Sequence, residues 1–142
     1  MTPSASGPQR LYLMQVATLS AGPLTVPVPC YFIQTCDDQN ILIDSGLPTN
    51  FQAPPNMPVP EMGRNVIEQL AMIDVQPTDI DLLICTHYDV DHAGNHGAFP
   101  NARLIAQRQH YEVARNGHPR FAPTRSQWDQ PTSRYRLVDS DT

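Results

Sequence analysis

Residues 87–92 read His-Tyr-Asp-Val-Asp-His, which places two imidazoles and two carboxylates within one short stretch. Imidazole and carboxylate are the ligand types of Zn²⁺ and of non-haem iron, and the alternation 87, 89, 91 can turn side chains to one side of an extended or looped backbone. His87, Asp89, Asp91 and His92 are therefore candidate metal ligands. The alternative is a polar, Asp-rich turn that holds no ion. So dense a cluster favours the metal.

Such a loop needs a rigid element to deliver it. Residues 80–85 (Ile-Asp-Leu-Leu-Ile-Cys) form an apolar run that leads directly into the cluster, as a buried strand delivers polar side chains to its carboxyl end in α/β folds. Cys85 in that run reads as a small core residue and not as a ligand. Upstream, residues 30–35 and 40–43 read as two strands of a hairpin turning at 36–39, and Asp44 ends the second. Residues 11–19 are apolar with β-prone members and predict another strand. Between them, Gly22-Pro23 and the prolines at 27 and 29 predict a loop, because Pro cannot join a central ladder. The expected sheet over residues 10–44 is mixed and largely antiparallel.

Residues 48–62 contain five prolines and cannot be helical or a regular strand throughout. Phe51, Met57 and Met62 are embedded in this loop, as a hydrophobic rim or a plain surface excursion. Val66, Leu70 and Ile73, flanked by Ile67 and Ala71, predict an amphipathic helix over 64–74, and Pro77 prevents its continuation. Beyond the cluster come a short strand at 102–106 and a helix over 107–116, with Gly117 placed to stop it. His110 and His118 read as surface or helix-end histidines. Residues 119–134 are irregular, with Phe121 and the single tryptophan, Trp128. Residues 1–9 read as a disordered lead and 10–142 as the folded domain.

Composition narrows the function. A chain of 142 residues could be one ordinary domain. Its net charge is −5, and all nine basic residues are arginine. An acidic chain without a basic run argues against nucleic acid or an anionic membrane surface as the main partner. Three cysteines (Cys30, Cys36, Cys85) with no Cys-x-x-Cys pair do not form a disulfide framework. No signal peptide is evident, and no apolar run approaches the roughly 20 residues of a membrane span. A soluble, cytoplasmic protein is expected. There is no internal repeat, glycine-rich phosphate loop or Gly-x-Ser-x-Gly elbow.

His87-x-Asp89-x-Asp91-His92-Ala93-Gly94 resembles the His-x-His-x-Asp-His signature of the metallo-β-lactamase superfamily, and its surroundings look most like the N-acyl-homoserine-lactone lactonase branch. The likeness extends to Asn40-Ile41-Leu42-Ile43-Asp44-Ser45-Gly46-Leu47, to the lead-in over 77–87, and to residues 98–102 and 107–112. The resemblance implies an α/β fold, the N-terminal half of an αββα sandwich, with the second half missing from this domain. It also implies two Zn²⁺ ions, one bound by His87 and Asp89 and the other by Asp91 and His92. The family's remaining ligands come from the second half. Asp91 would double as a catalytic proton relay, and His96 would support the ligands or face solvent. Asp44 would brace the metal loop from behind, or simply end its strand in a turn with Gly46.

The chain departs from the pattern at Asp89, where the signature has histidine. A harder, anionic ligand shifts preference towards iron or manganese. The implied function is a metal-dependent hydrolase that opens acyl-homoserine lactones or related lactones and esters, as in quorum quenching. It is expected to be inactive as this 142-residue piece. The alternative is a non-catalytic metal-binding or interaction half-domain. The implied partners are a small-molecule lactone or ester, and either a further copy in a homo-oligomer or the missing C-terminal half. The resemblance also implies that loop 48–62 contributes to an acyl-chain pocket and to dimer contacts.

Overall fold

The computed structural model describes residues 7–139. Strands β1 (Pro8–Ala21) and β2 (Leu24–Thr35) form a long antiparallel hairpin. It turns at Gly22, whose φ of +61° favours a residue without a Cβ. Of the expected lead, residues 1–6 lie outside the described residues, while Pro8 and Gln9 already belong to β1.

The loop expected around Pro27 and Pro29 is instead the first half of β2, with Pro27 opposite Thr18 and Pro29 opposite Gln15. The reason is positional. Strand β3 (Asn40–Ile43) meets β2 only from Tyr31 to Gln34, so the earlier part of β2 has β1 as its one strand neighbour among the described residues. A missing N–H on that open side costs no ladder bond. The β2–β3 hairpin forms as the pattern predicts, with Asp38 at φ +62° in its turn.

The remaining strands are β4 (Glu61–Met62), β5 (Leu82–Ile84), β6 (Arg103–Gln107) and β7 (Tyr135–Val138). One seven-stranded sheet results, in the order β4-β1-β2-β3-β5-β6-β7. Its first part is antiparallel, and β3, β5, β6 and β7 run parallel. Helix α1 (Val66–Ala71) is shorter than the expected 64–74. It starts at a capping box between Asn65 and Glu68 and gives way to a turn through Asp74 at φ +60°. Helix α2 (Arg108–Arg115) matches expectation.

Residues 119–134 are more ordered than expected, with a 3₁₀ turn at Pro119–Thr124, helix α3 (Arg125–Trp128) and a second 3₁₀ turn at Thr132–Arg134. The three prolines there rule out a long helix. Pro119 opens the first 3₁₀ turn, where the missing N–H has no helical partner to lose, Pro123 lies inside it shortly before α3, and Pro131 precedes the second.

The two faces of the sheet differ. On one face Met14, Val16, Val28, Cys30, Phe32, Leu42, Leu83 and Leu104 join Val66, Leu70, Tyr111, Ala114 and Trp128 in a single buried core. Strand register puts Leu11, Leu13, Tyr31, Ile33, Ile41, Ile43, Leu82, Ile84 and Ile105 together on the other. That second face is open at its β1 end, where Leu11 and Leu13 are 65% and 68% exposed. No helix among the described residues is long and apolar enough to cross a membrane.

Candidate metal centre

The parallel ends of β3 and β5 lie side by side, and the Asp44 N–H donates to the Ile84 carbonyl at 2.9 Å. Asp44 has φ +62°, a left-handed turn that a short polar side chain tolerates, and it aims its carboxylate back across the end of β5. Oδ1 accepts the Thr86 N–H at 2.8 Å, and Oδ2 accepts the Thr86 hydroxyl at 2.6 Å. Oδ2 also lies 2.7 Å from His92 Nδ1. Thr86 gives its one hydroxyl proton to Asp44, so towards His87 Nδ1, 3.0 Å away, it can only accept. Asp44 thus sets both rings, His92 directly and His87 through Thr86. Each presents Nε2 to the loop, and their centroids are 3.8 Å apart.

A backbone zipper fixes the rest of the loop. Ser45 N–H donates to His92 O, and Gly94 N–H donates to Gly46 O, both at 2.8 Å. A Cβ at Gly94 would fall 2.3 Å from Pro48 N and 2.4 Å from Gly46 O, so the approach requires glycine. The Asn95 amide donates to the carbonyls of Ser45 and Leu47. His96 does not face solvent. It is 1% exposed, with Nδ1 2.7 Å from Ser45 Oγ, and so braces the loop that follows Asp44.

Tyr88, fully buried, plugs the underside of the loop against His110, Phe121 and Trp128. Its N–H donates to His110 Nε2 at 3.0 Å, and its carbonyl accepts from Thr124 Oγ1 at 2.6 Å. His110 is therefore an anchor of the loop and not the surface histidine that its helix position suggested. Sequence reasoning also passed over Thr86, Arg120 and Thr124. Thr86 stands beside His87 in the chain, whereas the other two lie in a stretch with no periodic signal.

Among the described residues, His87, Asp91 and His92 form a group whose ligand atoms all lie within 4.8 Å of one another. Two imidazole nitrogens and a carboxylate oxygen, aligned from behind by Asp44, fit one divalent cation. Asp89 is brought close to His87, with Oδ2 3.2 Å from Nε2, but it stands outside that group. Its two oxygens are taken by Arg120, at 2.6 Å from Nε and 2.6 Å from Nη2. Beside Asp91 opens a cavity of about 170 Å³, lined mainly by Leu19, Leu47, Phe51, Met57 and Val90. The proline-rich loop supplies much of this apolar wall.

The sequence model of the metallo-β-lactamase superfamily matches residues 24–138. The chain belongs to that superfamily. It is 28% identical over 137 residues to an N-acyl homoserine lactonase of Bacillus sp., an alignment covering 88% of this chain and 53% of the relative. It is 33% identical over 110 residues to one of Bacillus cereus, covering 69% and 44%. A solved N-acyl homoserine lactone hydrolase, with the product N-hexanoyl-L-homoserine bound at its catalytic metal centre, superposes with a TM-score of 0.74 at 25% identity. That match covers 95% of this chain and 61% of the other. The chain spans about half the length of the relatives it matches. Its mixed sheet is part of the metallo-β-lactamase fold.

The electrostatics of this superfamily member follow from the same contacts. Burial alone would depress His92, but hydrogen bonds to Asp44 and Asp91, with their charges, outweigh it and lift the imidazole to about 9 in the ion-free protein. Burial opposes ionisation of Asp91, yet the His92 hydrogen bond and the charges of His92 and His87 hold its carboxyl below the usual range. The Arg120 fork does the same for Asp89, chiefly by hydrogen bonding. Burial pushes His96 down to about 4, partly offset by Asp44. Cys85 is buried, its thiol donates to the His87 carbonyl at 3.1 Å, and burial raises its pKa well above normal. It is a core residue, as its place in the apolar run suggested.

Proposed function

We propose that this chain provides the metal-binding part of a hydrolase that opens lactone rings, with acyl-homoserine lactones as the leading substrate class. The observation that carries the reading is the placement of His87, Asp91 and His92 beside an apolar cavity at Asp91. His87, Asp91 and His92 would hold the ion, with zinc favoured by two imidazoles in the set. A bound divalent ion acidifies water and polarises the scissile carbonyl.

The chain's own groups supply the rest. Asp44 keeps both imidazoles oriented with Nε2 forward. Asp91, ionised at neutral pH, can take the proton of the attacking water and return it to the ring oxygen as the acyl C–O bond breaks. The Phe51, Met57 and Val90 wall suits an acyl chain and excludes water from its length.

A second reading, a metal-binding or interaction module without turnover, is favoured by the small number of ligands and the open sheet face. Lactone hydrolysis separates the two. It is measured by pH-stat with added Zn²⁺, Mn²⁺ or Fe²⁺, on residues 1–142 and on the same chain extended by its downstream coding sequence. The enzyme reading expects turnover by the extended chain, little by residues 1–142, and loss with Asp91→Asn. If the extended chain hydrolyses no lactone or ester, the enzyme reading is wrong and the module stands.

A further inference from the structure

Asp89 lies in the middle of the ligand loop, yet its carboxylate is committed elsewhere. Arg120 grips it with two parallel N–H···O bonds, Nε to Oδ1 and Nη2 to Oδ2, each 2.6 Å. Such a fork occupies the inward lone pair of each oxygen and fixes the carboxylate plane. Arg120 does not reach in by chance from a loose segment. Its neighbours are fastened to the loop: Thr124 Oγ1 donates to Tyr88 O, Phe121 packs on Tyr88 and His110, and the Phe121 carbonyl is held by Trp128 Nε1. A divalent cation on Asp89 would stand within a few ångströms of a fixed guanidinium charge, which opposes its binding there.

We infer that Arg120 is a positioning residue that locks Asp89 out of the coordination sphere. The loop then offers a single cation His87, Asp91 and His92, and removing the lock adds a fourth donor. The inference rests on the metal reading proposed above. It departs from the expectation that Asp89 ligates a first ion. Arg120 is largely solvent-exposed, so its side chain can be exchanged without disturbing the core.

The test is made on the 142-residue chain stripped of metal. Zn²⁺ is titrated against a chromophoric chelator for wild type, Asp89→Asn, Arg120→Gln and the double variant. The Arg120 Nε–H resonance is followed by ¹⁵N NMR in parallel. The lock predicts that Arg120→Gln binds Zn²⁺ about tenfold more tightly than wild type and that the double variant, which lacks the freed donor, returns to near the wild-type value. Asp89→Asn, whose Arg120 charge is no longer neutralised, should bind no more tightly than wild type. It also predicts that the Nε–H signal, shifted by Asp89, persists unchanged at saturating Zn²⁺. Arg120→Gln binding no more tightly than wild type, or collapse of the signal as Zn²⁺ binds, would show that Arg120 does not hold Asp89 away from the ion and overturn the inference. Wild type binding no better than a His87→Ala/Asp91→Ala variant would instead defeat the underlying metal reading, and the inference with it. The comparison of wild type with His87→Ala/Asp91→Ala tells these two failures apart, since only the second abolishes specific Zn²⁺ binding.

Discussion

The pH dependence of stability should expose His96. Its imidazole is buried beneath the 44–48 loop against Ser45, and burial lowers its pKa from 6.5 to about 4. In the unfolded chain it titrates near its ordinary value, so on acidification the unfolded state takes up the proton first. The contribution of neutral His96 is complete above pH 6.5 and is lost as pH falls towards 4. Lowering the pKa from 6.5 to about 4 corresponds to roughly 3 kcal/mol. His92 does not intrude in this window. Its folded pKa is raised to about 9, so its own contribution is constant below pH 6.5 and is lost as pH rises from there through about 9. His110, also lowered, acts in the same direction as His96 and must be separated from it. The assay is urea denaturation of the metal-free protein between pH 6.5 and 4, comparing wild type with His96→Gln, which cannot titrate. Wild type should lose about 3 kcal/mol more than the variant over that range. Parallel stability curves, or an NMR titration placing His96 near 6.5, would refute the reasoning.

Metal binding should release about one proton from His92 at neutral pH, because the ion-free imidazole is protonated there and the ligand must be neutral. Affinity for Zn²⁺ should therefore climb with pH until about 9, checked by calorimetry in buffers of different ionisation enthalpy. Asp44→Asn puts an amide group where Thr86 Oγ1 and His92 Nδ1 now find an acceptor. Zn²⁺ affinity should fall about 10- to 100-fold in chelator competition, with the fold retained by circular dichroism. Tyr88→Ala removes a fully buried ring that touches His110, Phe121 and Trp128. It should cost about 3–5 kcal/mol in chemical denaturation, whereas Tyr88→Phe should cost far less.

The parts of this protein that read clearly from sequence are those with a local signature. The apolar run into His87, the strand ending at Asp44 and the α1 stripe each carry their own periodicity or punctuation, and each forms near its expected place. Its place at the end of a strand marks Asp44 only as a turn residue, and its bracing role is implied by the resemblance; its bonds to Thr86 and His92 are settled where β3 and β5 meet. Pro27 and Pro29 hid half of β2, since a proline rule written for central strands fails where a strand lacks its second neighbour. Tyr135–Val138 has no alternation to announce β7, which becomes a strand by pairing with β6. Arg120 is 31 residues from Asp89, and nothing local marks it as the partner of that carboxylate. The open β1 end of the apolar face is likewise a property of the assembled sheet, visible only once register aligns Leu11, Leu13, Tyr31 and Ile33.

Apart from β4, the strands lie side by side in the order in which they occur in the chain. A polypeptide leaving the ribosome would therefore present each new strand to a neighbour already made. The bonds joining Asp44, Thr86 and His92, and the zipper from Ser45 to Asn95, all lie within residues 44–95 and can close before β6 has emerged from the ribosome. Arg120 and Thr124 emerge later. For that interval the nascent loop exposes Asp89 without its guanidinium, so an ion captured early would meet four donors and one captured late would meet three. The timing of metal delivery relative to synthesis thus becomes a variable of the site itself, open to comparison between protein loaded during translation and protein loaded after it.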